Sequence, residues 1–287
     1  MTRDTKMKRF LLVCAACAAL GVVSASRLTA GAGAARMVYF SAVDEKGVPV
    51  SDLTPADLAV KEGGKDQKID TLMPATTPLD AVLIVDDGGS GAFQGAVAQF
   101  LETTQNKAQV SLTALEPQPM KVMDFTKDFD EFRKAVARVG PRGRITTVGE
   151  QIMGTVESVS KDLRKRQSAR AAIVVMTVGG EPPQSTEADP ALNALKASGA
   201  SLSVVHLMGV ELGKVLGDGP RRSGGVSQQV SSGVPIGPVL TKIAQGLLGQ
   251  YLLTYTLPDG VKPNERFALT TTRKGLTLLA PTRIPDK

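Results

Sequence analysis

Two carboxylates and a hydroxyl stand together in Asp86-Asp87-Gly88-Gly89-Ser90, directly after the apolar run 81–85. Ligands of open α/β sheets bind just beyond the carboxyl ends of the strands. A strand ending at this turn therefore places Asp86, Asp87 and Ser90 where such a fold carries a site. The same residue types also suit a local task, since Asp86 and Ser90 can hydrogen-bond the turn and the start of the next helix. Catalytic chemistry finds little else to use. The single histidine, His206, is flanked by Val204, Val205 and Leu207 and reads as a strand residue rather than a base. Both cysteines, Cys14 and Cys17, fall in the N-terminal segment. The rest of the chain thus has no Cys–His or Ser–His nucleophile pair, no disulfide framework and no cysteine metal site. Gly88-Gly89-Ser90-Gly91 lacks the lysine and the spacing of a phosphate-cradling loop. The basic run Lys161-Asp162-Leu163-Arg164-Lys165-Arg166 reads as a solvated helix end favoured by the helix dipole. These residue types favour a binding protein over an enzyme.

The elements that must position this turn follow from the apolar pattern. Residues 80–86 form a continuous apolar strand suited to burial on both faces of a parallel sheet. Phe93, Val97, Phe100 and Leu101 recur at helical spacing over 92–104. Strands follow at 110–115 and 120–125, joined by Glu116-Pro117-Gln118-Pro119, a link so short that the second must be an antiparallel edge strand. Asp128, with Glu131 three residues on, caps a helix whose inner face is Phe129, Phe132, Val136 and Val139. A Gly/Arg loop over 140–144 leads to a long helix with the stripe Val148, Ile152, Val156, Val159 and Leu163. Strands at 171–177 and 202–207 bracket a helix opened by Asp189-Pro190. Strands alternating with helices give a doubly wound sheet. From 209 to 237 the periodicity fails amid glycine, serine and proline, which reads as a flexible loop. A helix through Leu240, Ile243 and Leu247 and a strand at 251–255 come next. Segments 266–272 and 275–280 read as a closing hairpin around Lys274-Gly275. Before all of this, residues 37–73 read as a small β-rich unit. It has a capped helical turn at Thr54-Pro55-Ala56-Asp57 and a hairpin around Gly63-Gly64.

The turn at Asp86 resembles the metal-site motif of a von Willebrand factor A (vWA) domain, Asp-x-Ser-x-Ser, with Gly88 in place of the first serine. The string VDEKGVPVSDLTPADLAVKEGGKDQKI resembles the leader block of secreted bacterial proteins called vWFA-related, and LTKIAQGLLGQYLLTYTLPDG resembles their closing segment. The resemblance spans roughly residues 37–283. It implies an α/β fold: a doubly wound, mostly parallel six-stranded vWA/Rossmann-like sheet with helices on both faces, plus small β-rich N- and C-terminal flanks. It also implies a site in which Asp86, Ser90 and Thr146 would be ligands of a divalent cation. The aspartate such a domain places after its fourth strand is Val178 here, in Met176-Thr177-Val178-Gly179. With that carboxylate and one hydroxyl missing, Asp86, Ser90 and Thr146 read as vestigial positions, because Mg²⁺ wants about six oxygens and dehydrates reluctantly. The expected cofactor is none, Mg²⁺ being the one that a retained site would take.

The 287 residues are 42% hydrophobic and 22% charged, which allows a packed core. The net charge of +6 falls to +3 without residues 1–25, which carry Arg3, Lys6, Lys8 and Arg9 against Asp4. A field so weak argues against nucleic acid as a partner. Lys6, Lys8 and Arg9 precede an apolar stretch, residues 10–23, too short to span a bilayer comfortably. This reads as a secretory signal, an uncleaved anchor being the alternative. The mature chain is therefore expected to be exported, periplasmic, extracellular or at the cell envelope, with no transmembrane segment. The expected layout is a signal peptide at 1–25, a spacer at 26–36, a β-rich unit at 37–76, a vWA-like domain at 78–257 and a β extension at 258–287. The expected function is metal-independent binding of a protein partner by a rim containing Asp86, Asp87, Ser90, Arg142, Arg144, Thr146 and Glu181. The alternatives are a metal-dependent adhesion module and a hydrolase on a similar sheet.

Overall fold

The computed structural model describes residues 33–115, 118–141, 149–181, 186–231 and 236–285. In chain order the strands are β1 (Ala35–Asp44), β2 (Leu58–Glu62), β3 (Lys65–Gln67), β4 (Ile69–Pro74) and β5 (Leu79–Asp86). Helix α1 (Gln94–Thr104), β6 (Ala108–Ala114), β7 (Met120–Thr126), α2 (Phe129–Arg138), α3 (Gly149–Lys165) and β8 (Ala171–Thr177) come next. Then follow α4 (Ala188–Ser198), β9 (Ser201–Leu207), α5 (Lys214–Ser223), β10 (Ser227–Val230) and α6 (Gly237–Leu248). The chain closes with β11 (Tyr251–Thr256), β12 (Phe267–Thr271) and β13 (Leu276–Leu279).

Six strands form the main sheet in the order β10-β9-β8-β5-β6-β7. All neighbours are parallel except β6 and β7, so β7 is the antiparallel edge that the short link required. Strand period decides which core each side chain enters. In β5, Leu79, Ala81, Leu83 and Val85 point to the face covered by α1, α2 and α6. Val82 and Ile84 point to the face covered by α3, α4 and α5. Each fully enclosed Leu, Ile or Val contributes about 2 kcal/mol of burial, which holds β5 at the centre of the sheet. The cap of α2 is as expected: Asp128 Oδ1 accepts from the amides of Asp130 at 2.7 Å and Glu131 at 3.2 Å.

The segment 209–237 is not a plain loop. It carries α5 and β10, and β10 is the sixth strand of the main sheet. Helix α5 reads KVLGDGPRRS, with glycines and an internal Pro220, so local propensity hides it. Packing supplies what propensity lacks, through buried Val215, Leu216 and Pro220. Gly219 lets the helix approach β9 closely, since a Cβ there would come 2.6 Å from Leu202 Cδ2 and push that side chain aside.

Strand β11 does not extend the main sheet. It lies inside a four-stranded sheet ordered β13-β1-β11-β4, and a three-stranded sheet is ordered β12-β2-β3. The segments around Lys274-Gly275 are therefore no hairpin, since β12 pairs with β2 and β13 with β1. A hairpin pattern records only adjacency in sequence. The partners here are set by a third core of Val38, Phe40, Leu253, Tyr255 and Phe267. Likewise the turn at Gly63-Gly64 joins β2 to β3, and the chain then leaves that sheet to pair β4 with β11. In Thr54-Pro55-Ala56-Asp57, Asp57 Oδ2 accepts from both the amide and the hydroxyl of Thr54 at 2.8 Å. Within the third core Arg36 Nε donates to Glu62 Oε2 at 3.2 Å, and the Tyr255 hydroxyl donates to the same oxygen.

One buried arginine ties the small sheet to the main one. Arg170, just before β8, donates to Gln250 Oε1 at 2.9 Å and to the carbonyls of Ala75 and Thr77 at 3.1 Å. It also donates to the carbonyls of Leu247 and Leu248, at the end of α6. Burial pulls its pKa below the usual arginine value. Among the described residues no helix is long and apolar enough to cross a membrane.

Candidate functional site

The rim at the carboxyl ends of β5, β8 and β9 brings the Asp86 turn beside Thr177-Val178-Gly179-Gly180-Glu181, because β5 and β8 pair Asp86 with Thr177. Asp86 is 1% exposed. Its Oδ2 accepts from the Thr177 hydroxyl at 2.5 Å. Its backbone carbonyl accepts from the Val178 amide at 2.9 Å. Burial raises its pKa above the ordinary carboxylate value, and the neighbouring Asp87 charge adds to that. The Thr177 hydroxyl and the amides of Gly179 and Gly88 pull the other way. Thr177 is fully engaged as well, since its Oγ1 accepts from the amides of Gly179 at 3.1 Å and Gly180 at 2.8 Å.

Asp87 is equally enclosed, at 1% exposed. Its Oδ1 accepts from the Gly89 amide at 2.8 Å and its Oδ2 from the Gly91 amide at 2.9 Å. This side chain closes the turn on itself, as short acidic residues do in Asx-type turns. Ser90 is exposed, but its Oγ donates to the Asp87 carbonyl at 2.6 Å and accepts from the Ala92 amide at 3.2 Å. Gly88 has φ of 62°. The serine of the vWA motif is thus not merely absent, for the backbone here adopts a conformation that side-chain-bearing residues rarely take.

Glu181 lies at the rim but does not face solvent, being 4% exposed. Its Oε1 accepts from the amides of Val215 at 2.5 Å and Leu216 at 3.2 Å. It therefore caps α5 from another segment, meeting the orphan amides at the helix start. Its Oε2 has no hydrogen-bond partner among the described residues. Burial raises its pKa, opposed by the Leu216 and Val215 amides. Arg142, Arg144, Thr146 and Gln184 lie outside the described residues. His206, at the end of β9, is buried, and its Nδ1 lies 3.2 Å from the Leu207 carbonyl oxygen.

A divalent cation needs about six oxygens free to turn toward it. The described rim does not offer them. Both oxygens of Asp87 are committed to amides, Asp86 is held by Thr177, and Gly88 and Val178 bring no oxygen-bearing side chain. Among the described residues no three His, Cys, Asp or Glu side chains are grouped to hold a metal ion. The described residues do not by themselves make up a Mg²⁺ site.

Sequence reasoning missed three features of this rim. One is the Thr177–Asp86 bond, which depends on the strand register. The second is Glu181 as a cap for α5, a helix that the sequence pattern conceals. The third is Met208, 63% exposed after β9, next to Gly209. An isolated methionine carries no sequence signal, and only the end of β9 places it on the rim.

No family model and no curated protein matches the chain. Among solved structures it is similar to the von Willebrand factor type A protein from Catenulispora acidiphila. That match has 9% identity and a TM-score of 0.48, over 86% of this chain and 72% of that one. It is also similar to BatB from Bacteroides thetaiotaomicron, at 13% identity and a TM-score of 0.43, over 59% of this chain and 97% of that one. A third is the vWF domain of the type V pili tip protein Mfa5 from Porphyromonas gingivalis, at 11% identity and a TM-score of 0.42, over 60% and 95%. At these values the matches carry no argument about function. The architecture rests on the chain's own strand order and registers, and these display an α/β unit whose main sheet has five parallel strands and one antiparallel edge.

Proposed function

We propose that this is an exported, vWA-like protein-binding module whose rim meets its partner without a bound cation. The observation that carries the reading is the inward commitment of the Asp86 and Asp87 carboxylates to Thr177 and to glycine amides. Loops set at the strand ends of such a scaffold commonly carry function. With the carboxylates turned inward, recognition falls to the groups that remain: Ser90, Gly179, Met208 and the basic pair Arg142 and Arg144 of the adjoining segment. The arginines would pair directly with carboxylates of the partner, which is the electrostatic role a cation fills elsewhere. Export is supported by the basic start and short apolar core of residues 6–23.

The test is capture of the partner from native envelope by wild type and by Arg142→Glu/Arg144→Glu, with and without a chelator. Capture is expected to survive chelation, to fall in the double variant and to weaken with salt, because exposed charges are screened beyond about 8 Å at physiological ionic strength. Undiminished capture by the double variant, or loss on chelation alone, contradicts the reading.

A further inference from the structure

At the opposite end of the main sheet from the rim, a cavity of about 400 Å³ opens beside the first residues of β8 and β9. That volume lies within the range of small-ligand sites, about 300–1,000 Å³. At roughly 30 Å³ per water-sized group it holds about a dozen such groups. Its walls are largely apolar, with Leu192 and Leu195 of α4, Val38 of β1 and Ile284 of the C-terminal segment among them. Against these walls stand three cations, Lys196, Arg222 and Arg283, and one carboxylate, Glu265.

Lys196 and Arg222 occupy the last turns of α4 and α5, where a cation complements the helix dipole. That role does not balance the charge. Lys196 Nζ at 2.6 Å and Arg283 Nη1 at 2.5 Å share the single carboxylate Glu265. Arg222 pairs with Asp218 at 3.0 Å. Asp218 also takes Arg221 at 3.6 Å, so among the described residues four cations meet two carboxylates and positive charge is in excess. Ser201 is also in the lining, 6% exposed, and its hydroxyl has no partner among the described residues. A buried hydroxyl without a partner is costly unless something else completes it.

From the apolar walls, the surplus charge and the unpartnered hydroxyl together, we infer that this cavity binds an amphiphilic monocarboxylate, an apolar body of roughly ten carbons with one anionic head. The apolar body lies along the more open apolar lining, Met37 and Tyr39 of β1 and Pro281 and Pro285 of the C-terminal segment, and the carboxylate is drawn to the Lys196–Arg222 side. This site is independent of the rim and does not depend on the protein-binding reading.

The probe is decanoate below its micellar concentration, titrated into the full mature protein by calorimetry, with decanol as the neutral control. Saturable binding at one per chain is expected, with decanol at least tenfold weaker. Lys196→Met keeps the apolar stem and removes the charge, and is expected to weaken decanoate at least fivefold. Equal binding of decanol and decanoate, no saturable binding of decanoate, or unchanged affinity in a folded Lys196→Met/Arg222→Met protein each overturns the inference. The decanol comparison on wild type decides the matter even if the variants fail to fold.

Discussion

Replacing Arg170 with methionine is expected to lower stability by about 4 kcal/mol, the effect of leaving several buried acceptors without a donor. The guanidinium serves the Gln250 side chain and the carbonyls of Ala75, Thr77, Leu247 and Leu248. No water-exposed group can replace it, because Arg170 is buried. Each orphaned acceptor costs about 1–3 kcal/mol, reduced where water can re-enter. In a domain of this size a loss of that order lowers the melting temperature by roughly 10 °C. Arg170→Lys is expected to recover little, since an ammonium lacks the planar fork that spans acceptors on three segments. Thermal and urea melts of the three proteins check this. A loss below about 1 kcal/mol for the methionine variant shows that Arg170 does not tie the two sheets together.

The second expected effect separates the cap from the charge at Glu181. Glu181→Gln keeps an oxygen that accepts from Val215 and Leu216, whereas Glu181→Ala removes it. The alanine variant is expected to be about 1–2 kcal/mol less stable than the glutamine variant at every pH, the usual effect of losing a helix cap. The charge acts through pH. Burial raises the folded-state pKa of Glu181 above its ordinary 4.5. The folded state then holds the proton more tightly than the unfolded chain. That contribution to stability is fully present below pH 4.5 and is lost as pH rises through the raised folded value. Wild type is therefore expected to lose stability relative to Glu181→Gln as pH climbs above 4.5. Asp86 acts with the same sign, and remains in both proteins, so the difference isolates Glu181. Parallel pH profiles for wild type and Glu181→Gln contradict this assignment.

Much of the fold was legible where one local rule decided it. The unbroken apolar runs of β5 and β8 could only be strands buried on both faces. Asp128 with Glu131 marked the start of α2, and a four-residue link fixed β7 as antiparallel. The sequence misled where tertiary partners overruled local pattern. Gly217, Gly219 and Pro220 conceal α5, which stands because Glu181 caps it from 34 residues away and β9 receives it. The segments 266–272 and 275–280 look like a hairpin because adjacency in sequence is visible and the pull of the third core is not. At the rim, Asp86, Asp87 and Glu181 were readable as a cluster of acids near the strand ends. Their inward orientation was not, because the Thr177 hydroxyl that holds Asp86 is 91 residues distant and the other partners are backbone amides, which carry no letter in a sequence.

The central claim is that these rim carboxylates hold the turn and the following helix, and leave no set of oxygens for a cation. Melting the mature protein in millimolar Mg²⁺ or Mn²⁺ tests it most directly, because a ligand that binds only the native state must raise the melting temperature. The account predicts a transition unmoved by either metal, to within about 1 °C. A reproducible rise of several degrees that disappears in Asp86→Ala would contradict it.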